Sequence, residues 1–153
     1  MKIISHRGNI NGPDSDSENN PKKIEQALNL GYECEVDVWS QSGALTLCHD
    51  FKNDKHYSIN AEFLKKDGLW CHAKNIEAIS VLQKIDVNFF WHENDKVTIT
   101  SRGWVWCHPS CKIPTKRSII CLPEIHNIDV KFFDGLCTDY IDRYLNKVKD
   151  AKN

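Results

Sequence analysis

Three short segments of the chain carry side chains suited to acid–base and metal chemistry. The first contains His6 and Arg7, the second Glu35 and Asp37, and the third His49, each near the end of a predicted strand. Histidine transfers protons near neutral pH, and the forked guanidinium of arginine suits a phosphate. Any one segment alone is more typical of a cap or a surface loop. The ordered set indicates a metal-assisted enzyme that acts on a phosphate ester.

The two carboxylates of the second segment predict a cation. Glu35 and Asp37 lie two residues apart on a predicted strand, so both side chains point to the same face. Two like charges pushed together are costly unless a cation or cationic side chain neutralises them. Oxygen ligands of this kind suit a hard divalent ion such as Mg²⁺ or Ca²⁺. A solvated strand face that carries acids without a metal is the alternative, and the spacing leaves both open.

Two later segments place more ionisable side chains at strand ends. His72 and Lys74 lie two residues apart after an apolar run, and His92 and Asp95 follow another apolar run. Both patterns are also common in surface loops. The neighbouring tryptophans are more typical of a core, although they would also suit the wall of a pocket for a sugar ring or a glycerol-like group. They are Trp70, Trp91, Trp104 and Trp106.

Composition predicts one soluble globular domain over residues 1–153. The chain has 41% hydrophobic and 27% charged residues and a formal net charge of −1. That charge gives no general attraction to nucleic acid or to acidic membranes, so neither is an expected partner. No run approaches the roughly 20 apolar residues of a membrane span, and the N-terminus lacks the pattern of a signal peptide. We therefore expect a cytoplasmic protein, and the sequence leaves the oligomeric state open.

The cysteine pattern gives only weak support for a zinc site. Seven cysteines without a secretory signal are expected to be reduced thiols. Cys107, His108 and Cys111 form a close cluster, but a structural zinc site needs about four ligands. No second paired set is visible in the sequence. An incidental loop is the favoured interpretation.

The first 50 residues are predicted to alternate between strands and a helix. Residues 2–5 form a buried strand and residues 9–20 a polar loop. A helix begins at Pro21 with Asn20 as its cap and ends at Gly31. Strands follow over residues 32–39 and 44–48. Polar residues concentrate at the strand ends.

The rest of the chain is predicted to be richer in strands. Residues 76–84 form a short helix with Ile76, Ile79 and Leu82 on its inner side, and residues 139–149 form the last helix. The predicted strands span residues 69–73, 87–91, 97–100, 104–106, 118–122 and 135–137. Strands that alternate with helices indicate an α/β fold with parallel neighbours. A full (β/α) barrel needs about 250 residues, so we predict a reduced TIM-like (β/α) barrel with fewer outer helices.

Taken in chain order, these motifs resemble the glycerophosphodiester phosphodiesterase family of the phospholipase-C-like superfamily. The resemblance covers roughly the first 50 residues, and Thr138-Asp139 is similar to the end of the family's last strand. The motifs are His6-Arg7-Gly8, Glu18-Asn-Asn, Gly31…Glu35-Val-Asp37 and His49-Asp50. The chain would be a short, divergent member, and it also resembles short bacterial relatives associated with surface-polysaccharide genes, which implies a role in surface-polysaccharide metabolism.

The resemblance implies a role for each matching residue. His6 and His49 would be the acid–base pair, and Arg7 would contact the phosphate. Glu35 and Asp37 would ligate a divalent metal, and Glu18 would support the site. The substrate would be a small glycerol- or sugar-linked phosphodiester, attacked by a neighbouring hydroxyl through a cyclic phosphate.

The chain departs from the family pattern at two points. The family's middle strand carries Glu-x-Lys, whereas here the corresponding residues are His72-Ala-Lys74. Lys74 would keep its phosphate contact, but an imidazole ligand opens the possibility of a transition metal; His92, Glu93 or Asp95 are candidates for the missing ligand. The chain is also about a hundred residues shorter than a typical family barrel. A module that binds phosphate esters without turnover, and a lyase that stops at the cyclic phosphate, are the alternatives.

Overall fold

The computed structural model describes residues 1–111 and 114–150, with side chains to residue 145. The strands are β1 Lys2–His6, β2 Glu33–Gln41, β3 Ala44–Leu47, β4 Tyr57–Ile59, β5 Leu69–Ala73, β6 Phe89–Phe90, β7 Val97–Ile99, β8 Val105–Cys107, β9 Ser118–Cys121 and β10 Gly135–Thr138. The helices are α1 Pro21–Asn29, α2 Ala61–Leu64, α3 Ile76–Lys84 and α4 Ile141–Asp150, with 3-10 turns at Pro123–Ile125 and Val130–Phe132.

The strands form one curled, mainly parallel sheet. Seven of them run parallel in the order β6-β5-β2-β1-β10-β9-β8, and β7 adds to β8 antiparallel. The two ends of this sheet meet, because Ser101 N donates to Phe89 O at 2.7 Å and Thr98 Oγ1 donates to Trp91 O at 2.8 Å. The result is a mixed α/β, reduced TIM-like barrel with few outer helices. The predicted fold class is confirmed.

The first helix forms for the reasons that its sequence indicates. The Asn20 side chain accepts a hydrogen bond from Lys22 N, and Pro21 occupies the first helical position. Ile24 and Ala27 are buried against the sheet. This predicted helix and its cap are confirmed.

The prediction that Ile76 faces inward was wrong. Ile76 is 75% exposed, whereas Ala78 and Leu82 of the same helix are fully buried. Successive helical residues turn by about 100°, so the face shared by Ala78 and Leu82 points away from Ile76, two residues earlier. The buried face of α3 therefore contains a small residue that the apolar pattern did not single out.

Two apolar layers lie on opposite sides of the parallel strands. Cys34, Val36 and Val38 of β2 point outward and pack with residues of α1 and α3. The barrel interior holds a separate apolar cluster. Its buried members are Ile4, Trp70, Phe90, Trp106, Ile119 and Cys137. Trp70 and Trp106 therefore belong to the core.

The half of the barrel that contains β8, β9 and β10 has little helical cover. The two 3-10 turns and α4 lie over it, and their packing buries Val130, Phe133 and Tyr144. The sequence analysis missed β4, α2 and both 3-10 turns, which are only three or four residues long. Within the described residues, no helix has the length and apolarity that crossing a membrane requires.

Candidate active site

Alternation along the strands brings the predicted residues to one end of the barrel. His6 is in register with Glu35 across β1 and β2, and Asp37 is in register with His72 across β2 and β5. These four side chains point into the barrel, as parallel neighbours in register require. The prediction that Glu35 and Asp37 share a face is confirmed.

A tight turn after β1 places the arginine over the barrel. Arg7 has a φ of 54° and Gly8 a φ of 85°, so the chain reverses at once. The backbone groups remain paired: Arg7 N donates to Glu35 O at 3.0 Å, and Arg7 O accepts from Asn19 N at 2.9 Å. The turn therefore fixes the start of the Arg7 side chain beside the carboxylates of β2.

Asp37 and Arg7 form the centre of the polar cluster. Asp37 is fully buried, and its Oδ2 atom lies 2.8 Å from Arg7 Nε. Arg7 also donates from Nη1 to Glu18 Oε2 at 2.9 Å, and its Nη2 lies 2.7 Å from His49 Nδ1. Burial raises the pKa of Asp37, but the charge of Arg7 and the neighbouring imidazoles of His49 and His72 outweigh it, so the pKa lies well below its usual range. Asp37 is therefore an anion.

Asn19 is a site residue that the sequence analysis did not select. Its Nδ2 donates to Asp37 Oδ2 at 3.0 Å, and its Oδ1 accepts from Asp37 N at 2.9 Å. The residue has a φ of 61°, a conformation that asparagine tolerates better than most residues. The sequence signal was present in the Glu18-Asn-Asn motif, but only the glutamate was assigned a role.

Asp139, at the end of the last strand, holds His6. His6 Nδ1 lies 2.8 Å from Asp139 Oδ1, and Asn9 Nδ2 donates to both Asp139 Oδ1 at 2.8 Å and Glu18 Oε1 at 3.0 Å. Burial by itself lowers the pKa of His6. The hydrogen bond with Asp139 and the negative charge of Glu35 raise it by a larger amount, so that the pKa is about 9. Asp139 and Asn9 were missed as site residues, although Thr138-Asp139 had been noted at a strand end.

Glu35, Asp37 and His72 form a group that fits a metal ion. One ligand atom from each lies within 4.8 Å of the others, and His72 Nδ1 lies 3.3 Å from Asp37 Oδ1 and 3.7 Å from Glu35 Oε1. Donors about 2.1 Å from one ion, at about 90–110° to each other, are about 3.0–3.4 Å apart. Glu35 Oε2 and Asp37 Oδ1 are buried and make no hydrogen bond with the described residues. These features fit a cation between the three side chains.

The cysteine cluster does not form a second centre of this kind. Among the side chains described, those of residues 1–111 and 114–145, the grouping of three or more potential ligands occurs at Glu35, Asp37 and His72, not at Cys107, His108 and Cys111. Cys107 is buried, and burial together with the neighbouring Cys111 raises the pKa of its thiol to about 12. His108 Nδ1 lies 3.0 Å from Ser110 Oγ. The interpretation of this segment as an incidental loop stays a prediction.

His92 and Asp95 lie outside the metal-fitting group. The His92 ring stacks on His72 with centroids 4.6 Å apart, and Phe90 stacks on the same imidazole at 4.8 Å. Burial and the charges of His72 and Lys74 lower the pKa of His92. Asp95 lines the cavity but makes no hydrogen bond or ion pair with the described residues. Their supporting roles stay predictions.

A cavity of about 240 Å³ opens above this cluster. His6, Arg7, Glu35, His49 and His72 line one side of it. Lys74 lies beside that side, with Nζ 3.5 Å from Asp37 Oδ1 and 3.3 Å from His49 Nδ1. The opposite side is mostly apolar and comprises Trp106, Pro109, Cys121, Leu122 and Ile125. The cavity can therefore hold a small anion against cationic groups, with the rest of the molecule along an apolar wall.

Comparison with known proteins supports a relationship at the level of fold. No protein-family model and no curated protein matches the sequence. The structure is similar to the crystal structure of a glycerophosphodiester phosphodiesterase from Parabacteroides distasonis ATCC 8503, with a TM-score of 0.61 and 11% sequence identity. The match covers 99% of this chain and 98% of that chain. That protein therefore has a barrel of comparable extent, and the predicted relationship is confirmed for the fold.

The Arg7–Asp37 ion pair should show strong coupling in stability. Replacing Arg7 with Met leaves the Asp37 charge buried without its nearest partner, and we expect a loss of about 3 kcal/mol in the free energy of unfolding. Arg7→Met/Asp37→Asn removes that charge and should be more stable than Arg7→Met alone. Urea denaturation of the four proteins of the double-mutant cycle measures the coupling. Additive losses would contradict a central role for the pair.

The His6–Asp139 contact should be visible in a proton titration of the metal-free protein. We expect NMR to give a His6 pKa of about 9, lowered in Asp139→Asn and unchanged in the control Asp95→Asn. The folded-state value exceeds the unfolded value of about 6.5, so the stabilisation by protonated His6 is complete below pH ~6.5. It is lost as the pH rises through about 9. An ordinary His6 pKa in the wild type would show that Asp139 does not hold the proton.

Proposed function

We propose that this protein is a metal-dependent phosphodiesterase that cleaves a small glycerol- or sugar-linked phosphodiester. The observation that carries the proposal is the convergence of two histidines and two cations on a buried carboxylate pair at one end of the barrel. His6, Arg7 and His49 line one cavity with Glu35, and the fully buried Asp37 lies 2.8 Å from Arg7 Nε. The similarity to a phosphodiesterase structure supports the reaction class.

Arg7 and Lys74 are the proposed phosphate-binding residues. Both lie against Asp37, which holds their charged groups in place at 2.8 Å and 3.5 Å. Fixed positive groups of this kind offset the negative charge that develops on the phosphoryl oxygens during displacement. The guanidinium and the ammonium would thus bind the substrate and stabilise the transition state.

His6 and His49 are the proposed acid–base pair. One imidazole accepts the proton of a neighbouring substrate hydroxyl as its oxygen bonds to phosphorus, and the other donates a proton to the departing alcohol oxygen as its bond to phosphorus breaks. The product of this step is a cyclic phosphate. Water then opens the ring, with the two histidines exchanging roles. The Asp139 contact at Nδ1 fixes the orientation of His6 and leaves Nε2 for the transfer.

Glu35, Asp37 and His72 are the proposed residues that hold the divalent ion. When bound, such an ion polarises the phosphate and lowers the pKa of the attacking hydroxyl. Glu18 has a proposed supporting role, because it accepts hydrogen bonds from both Arg7 and Asn9. It thereby connects Arg7, which contacts Asp37, with Asn9, which contacts Asp139.

One feature of the site favours a second candidate function. All three guanidinium nitrogens of Arg7 already contact Asp37, Glu18 or His49. A pocket in which each nitrogen of the arginine already has a protein contact would also suit a module that binds phosphate esters without turnover. Such a module has no use for an acid–base pair, and this is why the enzyme is our first proposal.

Turnover that depends on a metal tests the first candidate directly. We expect the protein to cleave bis(p-nitrophenyl) phosphate or a glycerophosphodiester, to lose this activity in EDTA and to regain it with one added divalent metal. Phosphorus NMR of the products distinguishes complete hydrolysis from a lyase that releases the cyclic phosphate. Phosphodiester binding by calorimetry without turnover under any metal would instead support the binding module.

Single substitutions separate the two kinds of role. His6→Ala and His49→Ala should each lower kcat by about 10²–10⁴-fold with unchanged metal content, because proton transfer is lost while the ligands remain. Glu35→Ala should lose both activity and metal. The matched control is His126→Ala, an exposed histidine outside the cavity. Metal analysis and steady-state kinetics measure the two effects, and near-full activity of His6→Ala would show that the acid–base assignment is wrong.

A further inference from the structure

We infer that the centre formed by Glu35, Asp37 and His72 selects a first-row transition ion over Mg²⁺ and Ca²⁺. The inference rests on the metal site of the proposed function and names the class of cofactor for it. It comes from the one nitrogen donor in the group and from the way the barrel holds that donor.

The ring of His72 is packed by two aromatic rings that lie side by side on one of its faces. Phe90 stacks against it with an interplanar angle of 17°, and His92 stacks on the ring at 15°. Phe90 in turn stacks on Trp106 with centroids 4.4 Å apart. The imidazole therefore belongs to a stack that continues into the buried core, and its plane cannot turn without disturbing that stack.

The stack directs one ring nitrogen at both carboxylates. His72 Nδ1 is 3.3 Å from Asp37 Oδ1, a separation that suits two donors of one ion, and 3.7 Å from Glu35 Oε1, slightly beyond that separation. Only 11% of the His72 side chain is exposed. An oxygen of each carboxylate is buried without a hydrogen bond, namely Glu35 Oε2 and Asp37 Oδ1. Their remaining contacts are longer ion pairs, from Asp37 Oδ1 to His72 at 3.3 Å and Lys74 at 3.5 Å and from Glu35 Oε2 to His6 at 3.9 Å. Both oxygens can therefore still accept a bound cation.

The donor set determines the class of that cation. Mg²⁺ and Ca²⁺ are hard ions that take oxygen ligands, so an imidazole offers them little. Imidazole nitrogen suits zinc and other divalent first-row transition ions, and two carboxylates remain acceptable ligands for them. A nitrogen that is already held in place requires little ordering when the ion binds, and this preorganisation favours the same class.

Calorimetry on the metal-free protein tests the inference without relying on activity. We expect Zn²⁺ to bind with one ion per chain, on the order of 100-fold more tightly than Mg²⁺ or Ca²⁺, and Mn²⁺ to bind with an affinity between theirs. Pulsed EPR of the Mn²⁺-loaded protein should show coupling to one imidazole nitrogen. Ca²⁺ or Mg²⁺ binding as tightly as Zn²⁺, or Mn²⁺ without nitrogen coupling, would overturn the inference.

Variants at His72 separate this site from adventitious binding. His72→Glu should raise the affinity for Ca²⁺ and Mg²⁺ and abolish the nitrogen coupling, and His72→Gln provides a neutral second variant if the glutamate prevents folding. His108→Gln is the matched control, since His108 also lines the cavity but faces Ser110; its metal preference should equal that of the wild type. An unchanged preference in folded His72→Glu or His72→Gln would contradict the assignment.

The outcomes distinguish this inference from the proposed function. Transition-ion binding through His72 without phosphodiesterase turnover would support the metal class and overturn the enzyme. Turnover that depends on Ca²⁺ or Mg²⁺, with weak Zn²⁺ and Mn²⁺ binding, would support the enzyme and overturn the metal class.

Discussion

The negative charge of Asp37, buried inside the barrel, determines what its neighbours must be. A carboxylate without solvent is costly unless opposite charges and hydrogen-bond donors compensate it. Arg7, His72 and Lys74 surround Asp37 at distances of 2.8 to 3.5 Å, and the Asn19 amide donates to it as well. Residues from three separate parts of the chain thus contact the two carboxylate oxygens of Asp37, and the candidate site is organised around this carboxylate.

This requirement explains the unusual backbone beside the site. Arg7 and Asn19 both have a positive φ, a conformation that costs on the order of 1–3 kcal/mol for residues other than glycine when it is strained. The two residues are joined through Asn19 N and Arg7 O, and both side chains bind Asp37. The ion pair and the hydrogen bonds of the cluster offset the cost of the turn. The loop over residues 9–20, which the sequence predicted only as a polar loop, is therefore part of the site through Asn19.

In the reduced barrel, regular helices pack behind the strands that carry the charged site residues, and the other strands have little helical cover. His6, Glu35, Asp37 and His72 come from β1, β2 and β5, and α1 and α3 pack behind β2. The half that contains β7, β8 and β9 supplies the apolar cavity wall. A wall of apolar side chains tolerates looser positioning than a cluster of charges at hydrogen-bond distance. This difference fits the concentration of regular helices behind the charged side.

Local patterns in the sequence determined most of the elements and the shared face of Glu35 and Asp37. Strand alternation and the cap at Asn20 depend only on neighbouring residues, and a linear pattern can show them. The exposure of Ile76 could not be read in this way, because several helix faces fit the same apolar residues and only packing on the sheet selects one. The contact of Asp139 with His6 joins residues 133 positions apart. Only the closure of β1 against β10 brings those two residues together, because a hydrogen bond depends on distance in space and a sequence records only distance along the chain.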